Sequence, residues 1–348
     1  MFVHPQRPIW NDTSTCKDAQ RRASADLTIN GTTLLALALQ HPSIHIRASQ
    51  QITPASIKSV DIEFRPLLPS FVHRCISLCL PTYKPDEWVP LRRAREQFDA
   101  TLGDTQDFDR WIASCLTINP SDAYVTHMII LGYGTNSVSL GCSQGLVYFT
   151  PVWRVFIRQF LEETIADRVS YVEARINFSP EFMIGPDGKA NAPHKEWLRT
   201  FQDVLAEFRG SLQAQGRDGE FIGAEHHQLR YYEGFDLVGD ENVLRPLKDY
   251  LPQLLSFSTL QASRGLPEHQ RIPFIFHAGE TPGDRSMADE NLYDAMLLGT
   301  KRIGHGFSLV KRPKLMAMCR ERGMALEVFP ISNEILVYWL PFHVILSG

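Results

Sequence analysis

From residue 151 onward, apolar and polar positions alternate between two periods. VWRVFIRQFLEETIADR carries the three-to-four-residue period of an amphipathic helix, and YVEARINF (171–178) then reads as a strand. HKEWLRTFQDVLAEFRGSLQ (194–213) is helical, and EFIGA (220–224) and GFDLVG (234–239) are short strands. ENVLRPLKDYLPQLLSFSTLQ is a helix broken at Pro252, and IPFIFHAGE (272–280) is a strand. DENLYDAMLLG is a helix ending at Gly299, KRIGHG (301–306) a strand, RPKLMAMCRERG a helix stopped at Gly323, and MALEVFP (324–330) the last clear strand. The strands are apolar without strict alternation, as parallel strands buried on both faces are. Strand and helix in regular succession predict an α/β fold, either a (β/α)8 barrel or a doubly wound sheet. The Gly-rich phosphate loop that a doubly wound sheet usually carries after its first strand is not found.

The first half is less regular. TTLLALALQ (32–40) reads as a short apolar helix stopping before Pro42, and 86–116 looks helical. The segment 128–145, rich in Gly and Ser, has no helical period. Residues 1–27 read as an irregular segment, 28–145 as an N-terminal helical part and 146–348 as the core with the strand ends.

Composition narrows the classes. A net charge of −4 offers no basic excess for nucleic acid, and no apolar run approaches the ~18 residues of a membrane span. The N-terminus lacks the basic start and apolar core of a signal peptide. The six cysteines are scattered, without paired Cys-x-x-Cys spacing, and read as free thiols.

Polar residues gather where the strands end: Glu173 and Arg175, Asp236, His277 and Glu280, His305, Glu327. In a barrel those ends build the active site. A neutral imidazole at His277 suits zinc, and a carboxyl group three residues on can move a proton beside metal-bound water. A lone His at a strand end is more often structural. His, Glu and His on adjacent strand ends shift the balance toward chemistry.

HAGET, DENLYDAMLLGTKRIGHGFSLVKRPKLM and EVFPISNEIL resemble the adenosine deaminase family, and YVEARINFSP and GFDLVGDEN match its secreted, growth-factor-type branch. The likeness is dense over 146–336 and thinner over 28–120. It implies a zinc-dependent TIM-type barrel that hydrolyses adenosine, or 2′-deoxyadenosine, to inosine and ammonia. It implies His277 as a zinc ligand, Glu280 as the proton shuttle, His305 as the group that positions hydroxide, and Gly239 as a backbone donor to the purine. It also implies one Zn2+ per chain, a homodimer and an extracellular location.

The pattern has gaps. The family's first strand carries H-x-H, which occurs nowhere here; a local alignment puts Arg22 and Ser24 at those positions. The ligating aspartate of the eighth strand is not found after SNEIL, Phe329 stands where cysteine is usual, and only nine residues separate EFIGA from GFDLVG. His41 and His45 flank Pro42 after a helix, and His226 and His227 are adjacent; all four read as structural or solvated. The first and eighth strands are expected to be missing or degraded, with 23–30 as a substitute first strand and the chain incomplete at both ends. One remaining family ligand counts against zinc binding and turnover, since a catalytic zinc ordinarily takes three protein ligands. Two alternatives follow: an inactive nucleoside-binding or signalling protein on the same fold, or a deaminase of another aminopurine.

Overall fold

The computed structural model describes residues 22–26, 29–116 except 69 and 86, 145–221 except 177 and 179, 234–238, 241, 245–281 and 290–329; in 22–26 it defines the backbone. The chain divides into two compact units, and the described residues of the first run from 22 to 221 and of the second from 234 to 329.

In the first unit, β1 (Arg22–Asp26) pairs in parallel with β5 (Tyr171–Arg175), Arg22 opposite Tyr171 and Ser24 opposite Glu173. This strand lies within the segment expected to be irregular and overlaps, at 23–26, the substitute strand expected over 23–30. RASAD has little intrinsic strand preference, but a ladder to β5 overrides propensity. Ile29, from the segment expected to replace the strand, instead precedes the helix cap Asn30, whose side chain accepts from Thr32 N at 2.9 Å. Helix α1 (Gly31–Gln40) buries Leu34, Leu35, Leu37 and Ala38.

Beside it lies a three-stranded antiparallel sheet that the hydrophobic pattern did not announce. β2 (Ile44–Ala48) sits between β3 (Ile62–Pro66) and β4 (Val89–Pro90). The helix expected over 86–116 is two helices, α2 (Leu91–Glu96) and α3 (Thr105–Cys115). A turn with Gly103 at φ +128° separates them, and Asp104 restarts the helix with a reciprocal capping box to Asp107. Helices α4 (Trp153–Ala166) and α5 (His194–Ala214) follow their periodicity, packing Phe156, Phe160, Val204 and Phe208 into the first core. A short hairpin of β6 (Met183–Ile184) and β7 (Ala190–Ala192) lies between β5 and α5. Within EFIGA, Glu220 closes a 3-10 turn and Phe221 is buried; the rest lies outside the described residues, as does 128–144.

In the second unit, the break expected at Pro252 appears as the start of an α-helix. A 3-10 turn at Leu247–Tyr250 runs into α6 (Leu251–Ser263), and Pro252 occupies the first turn, where its missing N–H leaves no bond unmade. β8 (Ile275–Ala278), β9 (Arg302–His305) and β10 (Ala325–Glu327) form a parallel sheet in the order β10–β9–β8. Helices α7 (Asn291–Leu297) and α8 (Pro313–Glu321) make the crossovers. Of the strand expected at 234–239, the described residues 234–238 form a parallel bridge between Phe235 and Phe274: Phe235 N donates to Pro273 O, and Ile275 N to Phe235 O. Phe274, Phe276, Ala278 and Ile303 pack with Leu292, Ala295, Met296, Leu309 and Leu315 of the crossovers. Successive strand side chains face opposite ways, so this packing of Phe276 and Ala278 turns His277 to the other face. The fold is α/β with partial parallel sheets, and the described strands do not trace a closed barrel.

Candidate functional site

Three buried polar residues meet at the ends of β8 and β9. His277 is 8% exposed, Glu280 6% and His305 3%. The register places His277 beside Gly304 and Ala278 beside His305. Imidazole Nε2 of His305 lies 3.2 Å from Glu280 Oε1, and the two imidazole centroids are 5.2 Å apart. Gly304 admits the His277 ring: a Cβ there would lie 3.0 Å from its Cγ and Nδ1.

His277 is held from behind. Its backbone N–H, next in the ladder after Ile275, donates to Asp236 Oδ1 at 2.9 Å, and its Nδ1 lies 2.5 Å from Asp236 Oδ2. A carboxylate on Nδ1 fixes the tautomer and leaves Nε2 with the lone pair, as the acids behind metal-binding histidines do.

His305 adopts φ +65° and is followed by Gly306 at φ +60°. A non-glycine residue in the left-handed region costs roughly 1–3 kcal/mol and persists where the surroundings over-determine it. Here Gly306 N donates to Ala278 O at 3.0 Å and Ser308 N to Gly279 O at 2.9 Å, tying the turn after β9 to the turn after β8. Gly279 itself has φ +68°, and a Cβ would lie 2.8 Å from Ser308 Oγ, so the HAGE turn needs glycine.

Phe329 covers the pair, stacked at 6.1 Å and 14° on His277 and 4.7 Å from His305. Arg302 Nε meets Glu327 Oε1 at 3.1 Å between β9 and β10, so Glu327 serves a structural ion pair. In the first unit, His41 stands edge-on to Phe149, while His45 is buried with Nδ1 2.7 Å from Ser43 O. Both imidazoles are pushed below their ordinary range, chiefly by burial. Gly239, His226, His227 and 331–348 lie outside the described residues.

The structure thus brings His277, Glu280 and His305 together. It adds Asp236, which the sequence offered only as one of several strand-end acids, and Phe329, which stood out only as a departure from cysteine. It also adds Glu241, whose carboxylate bonds the turn after β8 at Gly279 N and Thr281 N. The chemistry of the donor set can be tested for zinc. His277 fits, with its Nδ1 held and its Nε2 oriented, but among the described residues no three His, Cys, Asp or Glu side chains converge to hold a metal ion. The described set therefore does not make up a zinc site.

A family model described as adenosine deaminase matches residues 151–341. The chain belongs to the adenosine deaminase family. It is 32% identical to adenosine deaminase 2 of Sus scrofa over 74% of this chain and 52% of that protein. It is 36% identical to an adenosine deaminase of Aedes albopictus over 56% of this chain and 38% of that one. The chain spans about half, or less, of the length of these adenosine deaminases. A solved zinc-bound amidohydrolase from Burkhoderia ambifaria is similar at a TM-score of 0.41 and 18% identity, over 67% of this chain and 59% of that one.

Proposed function

We propose that the chain carries the proton-handling part of an adenosine-hydrolysing deaminase, built on a (β/α)8 barrel. The observation that carries this is the buried Glu280–His305 contact of 3.2 Å, set beside an imidazole whose Nδ1 is held by Asp236. A carboxyl group that reaches an imidazole nitrogen can deliver a proton to the ring nitrogen beside the amino-bearing carbon of a purine and recover one from water. His305, at the adjacent strand end, orients the attacking oxygen, and Gly239 offers its N–H to the base. The resemblance makes His277 a zinc ligand, and the described residues bring no set of three ligands together around it. An extracellular location and a homodimer, implied by the family resemblance, belong to the same proposal.

The test is inosine formation from adenosine by the purified chain, with zinc counted in the same sample. The expected result is turnover that falls in Glu280→Gln by roughly 10²–10⁴-fold. Folded protein with neither zinc nor inosine overturns the reading.

A second reading, a nucleoside-binding protein without turnover, is favoured by Phe329. Its ring lies across both imidazoles and supplies neither a metal ligand nor a proton. Adenosine binding by calorimetry without inosine formation would select this reading.

A further inference from the structure

The acid side chain of Glu280 is only as well placed as the turn that carries it, and that turn is held by one buried carboxylate. Glu241 is 8% exposed. Its Oε1 accepts from Gly279 N at 2.9 Å and from Asn291 Nδ2 at 3.1 Å. Its Oε2 accepts from Thr281 N at 3.0 Å and from Thr281 Oγ1 at 3.4 Å. The two backbone donors are the peptide N–H groups immediately before and after Glu280. Among the described residues no Lys or Arg pairs with it, so the cost of burying this acid is met by backbone and neutral side-chain donors. Asn291 is itself fixed, its Oδ1 accepting from Leu247 N at 3.0 Å, which roots the clamp in the first turn of α7.

Asp236 lies five positions earlier and does the corresponding work for His277, bonding both its backbone N–H and its ring. One stretch, 236–241, therefore supplies the carboxylates behind both functional residues of the β8 end.

We propose that Glu241 is the positioning residue of the site: it grips the peptide on either side of Glu280 and so sets the Glu280 carboxyl against His305. It touches neither substrate nor reacting atoms. The proposal rests on the deaminase reading for its kinetic consequence and on the turn geometry alone for its structural one.

Glu241→Gln keeps the size but turns a donor toward N–H groups that need an acceptor. In that variant the Gly279 and Thr281 amides should exchange with solvent at least about 10-fold faster. The kcat for adenosine should fall about 100-fold, as a misplacement on the ångström scale does, with KM within about threefold. Leu254→Ala, a core substitution outside the site, should lower thermal stability and leave kcat per folded molecule within about threefold. If Glu241→Gln does not fold, Asn291→Leu removes one donor to the clamp and should lower kcat about 10-fold. Unchanged amide exchange, or a kcat loss no larger than that of Leu254→Ala, overturns the clamp. If the parent chain makes no inosine, the deaminase reading has failed. Amide exchange and the Glu280–His305 distance in a crystal of the variant then decide the proposal: a distance still near 3.2 Å overturns it.

Discussion

Gly304→Ala tests whether His277 is held rigidly. The added methyl would lie 3.0 Å from Cγ and Nδ1 and 3.1 Å from Cδ2 of the ring. Ordinary carbon contacts sit at about 3.5–4.0 Å, so the ring or the strand must yield by roughly 0.5 Å. The ring has little room, with Nδ1 2.5 Å from Asp236 on one side and Phe329 stacked on it. If it stays, the overlap costs about 1–3 kcal/mol; if it moves, it gives up a bond to a carboxylate worth about 1.5–3 kcal/mol. These are alternatives rather than a sum, so either route costs about 1–3 kcal/mol. At about 2–4 °C per kcal/mol for a chain part of this size, the melting temperature should fall by roughly 2–12 °C. Gly304 has no positive φ, so the effect is one of space alone. The control is Gly210→Ala in α5, where nothing lies within 4 Å of the added methyl. Relief of helix-interior glycine should stabilise that variant by about 0.5–1 kcal/mol. Differential scanning calorimetry reads both. A Gly304→Ala protein that melts at or above the parent temperature refutes the picture of a ring fixed on several sides.

Three further outcomes follow from the same geometry. Asp236→Asn should weaken zinc uptake or adenosine turnover about 10–100-fold, because it disturbs the tautomer and orientation of His277; equilibrium dialysis and inosine assays would show it, and parent-like values would remove Asp236 from the site. Tyr83→Phe should cost about 1–3 kcal/mol in urea unfolding, since the Tyr83 hydroxyl bonds both Ala48 N at 2.7 Å and Ala48 O at 2.9 Å in a buried setting; a midpoint equal to the parent's would refute this. Burial, with a smaller push from His73, holds His45 below its ordinary value near 6.5, against the opposing bond to Ser43 O. The unfolded chain then binds that proton first as pH falls, so His45's contribution is complete above about 6.5 and declines below it. The urea midpoint should drop from pH 7 to pH 5, and His45→Leu should flatten the drop; an equally steep drop in the variant would count against it.

Periodic elements were legible because local pattern and tertiary role agree. α4, α5, β8 and β9 each bury the face their spacing shows. The β2–β3–β4 sheet was not legible: its strands are short, Pro66 and Pro90 end two of them, and the pairing joins residues distant in sequence. The turn at Gly103 divided the apparent long helix, and Asp104 capped the start of its second part, neither of which periodicity registers. In the site, His277, Glu280 and His305 were visible as strand-end polar residues. Asp236 and Glu241 were not assigned roles, since each acts on residues 38 to 41 positions away through backbone N–H groups, which no side-chain pattern encodes.

The left-handed backbone at His305 also bears on how such a chain changes over generations. A histidine at φ +65° folds at a disadvantage to asparagine or glycine in the same place. As long as the imidazole is used, selection holds it against that disadvantage. Once it is not, random substitution at this codon drifts toward residues that relax the turn, and the protein becomes sturdier as it falls silent. On the role proposed for His305, its replacement by asparagine or glycine among descendants of this chain would be an early and stabilising mark of a lineage that has left catalysis behind.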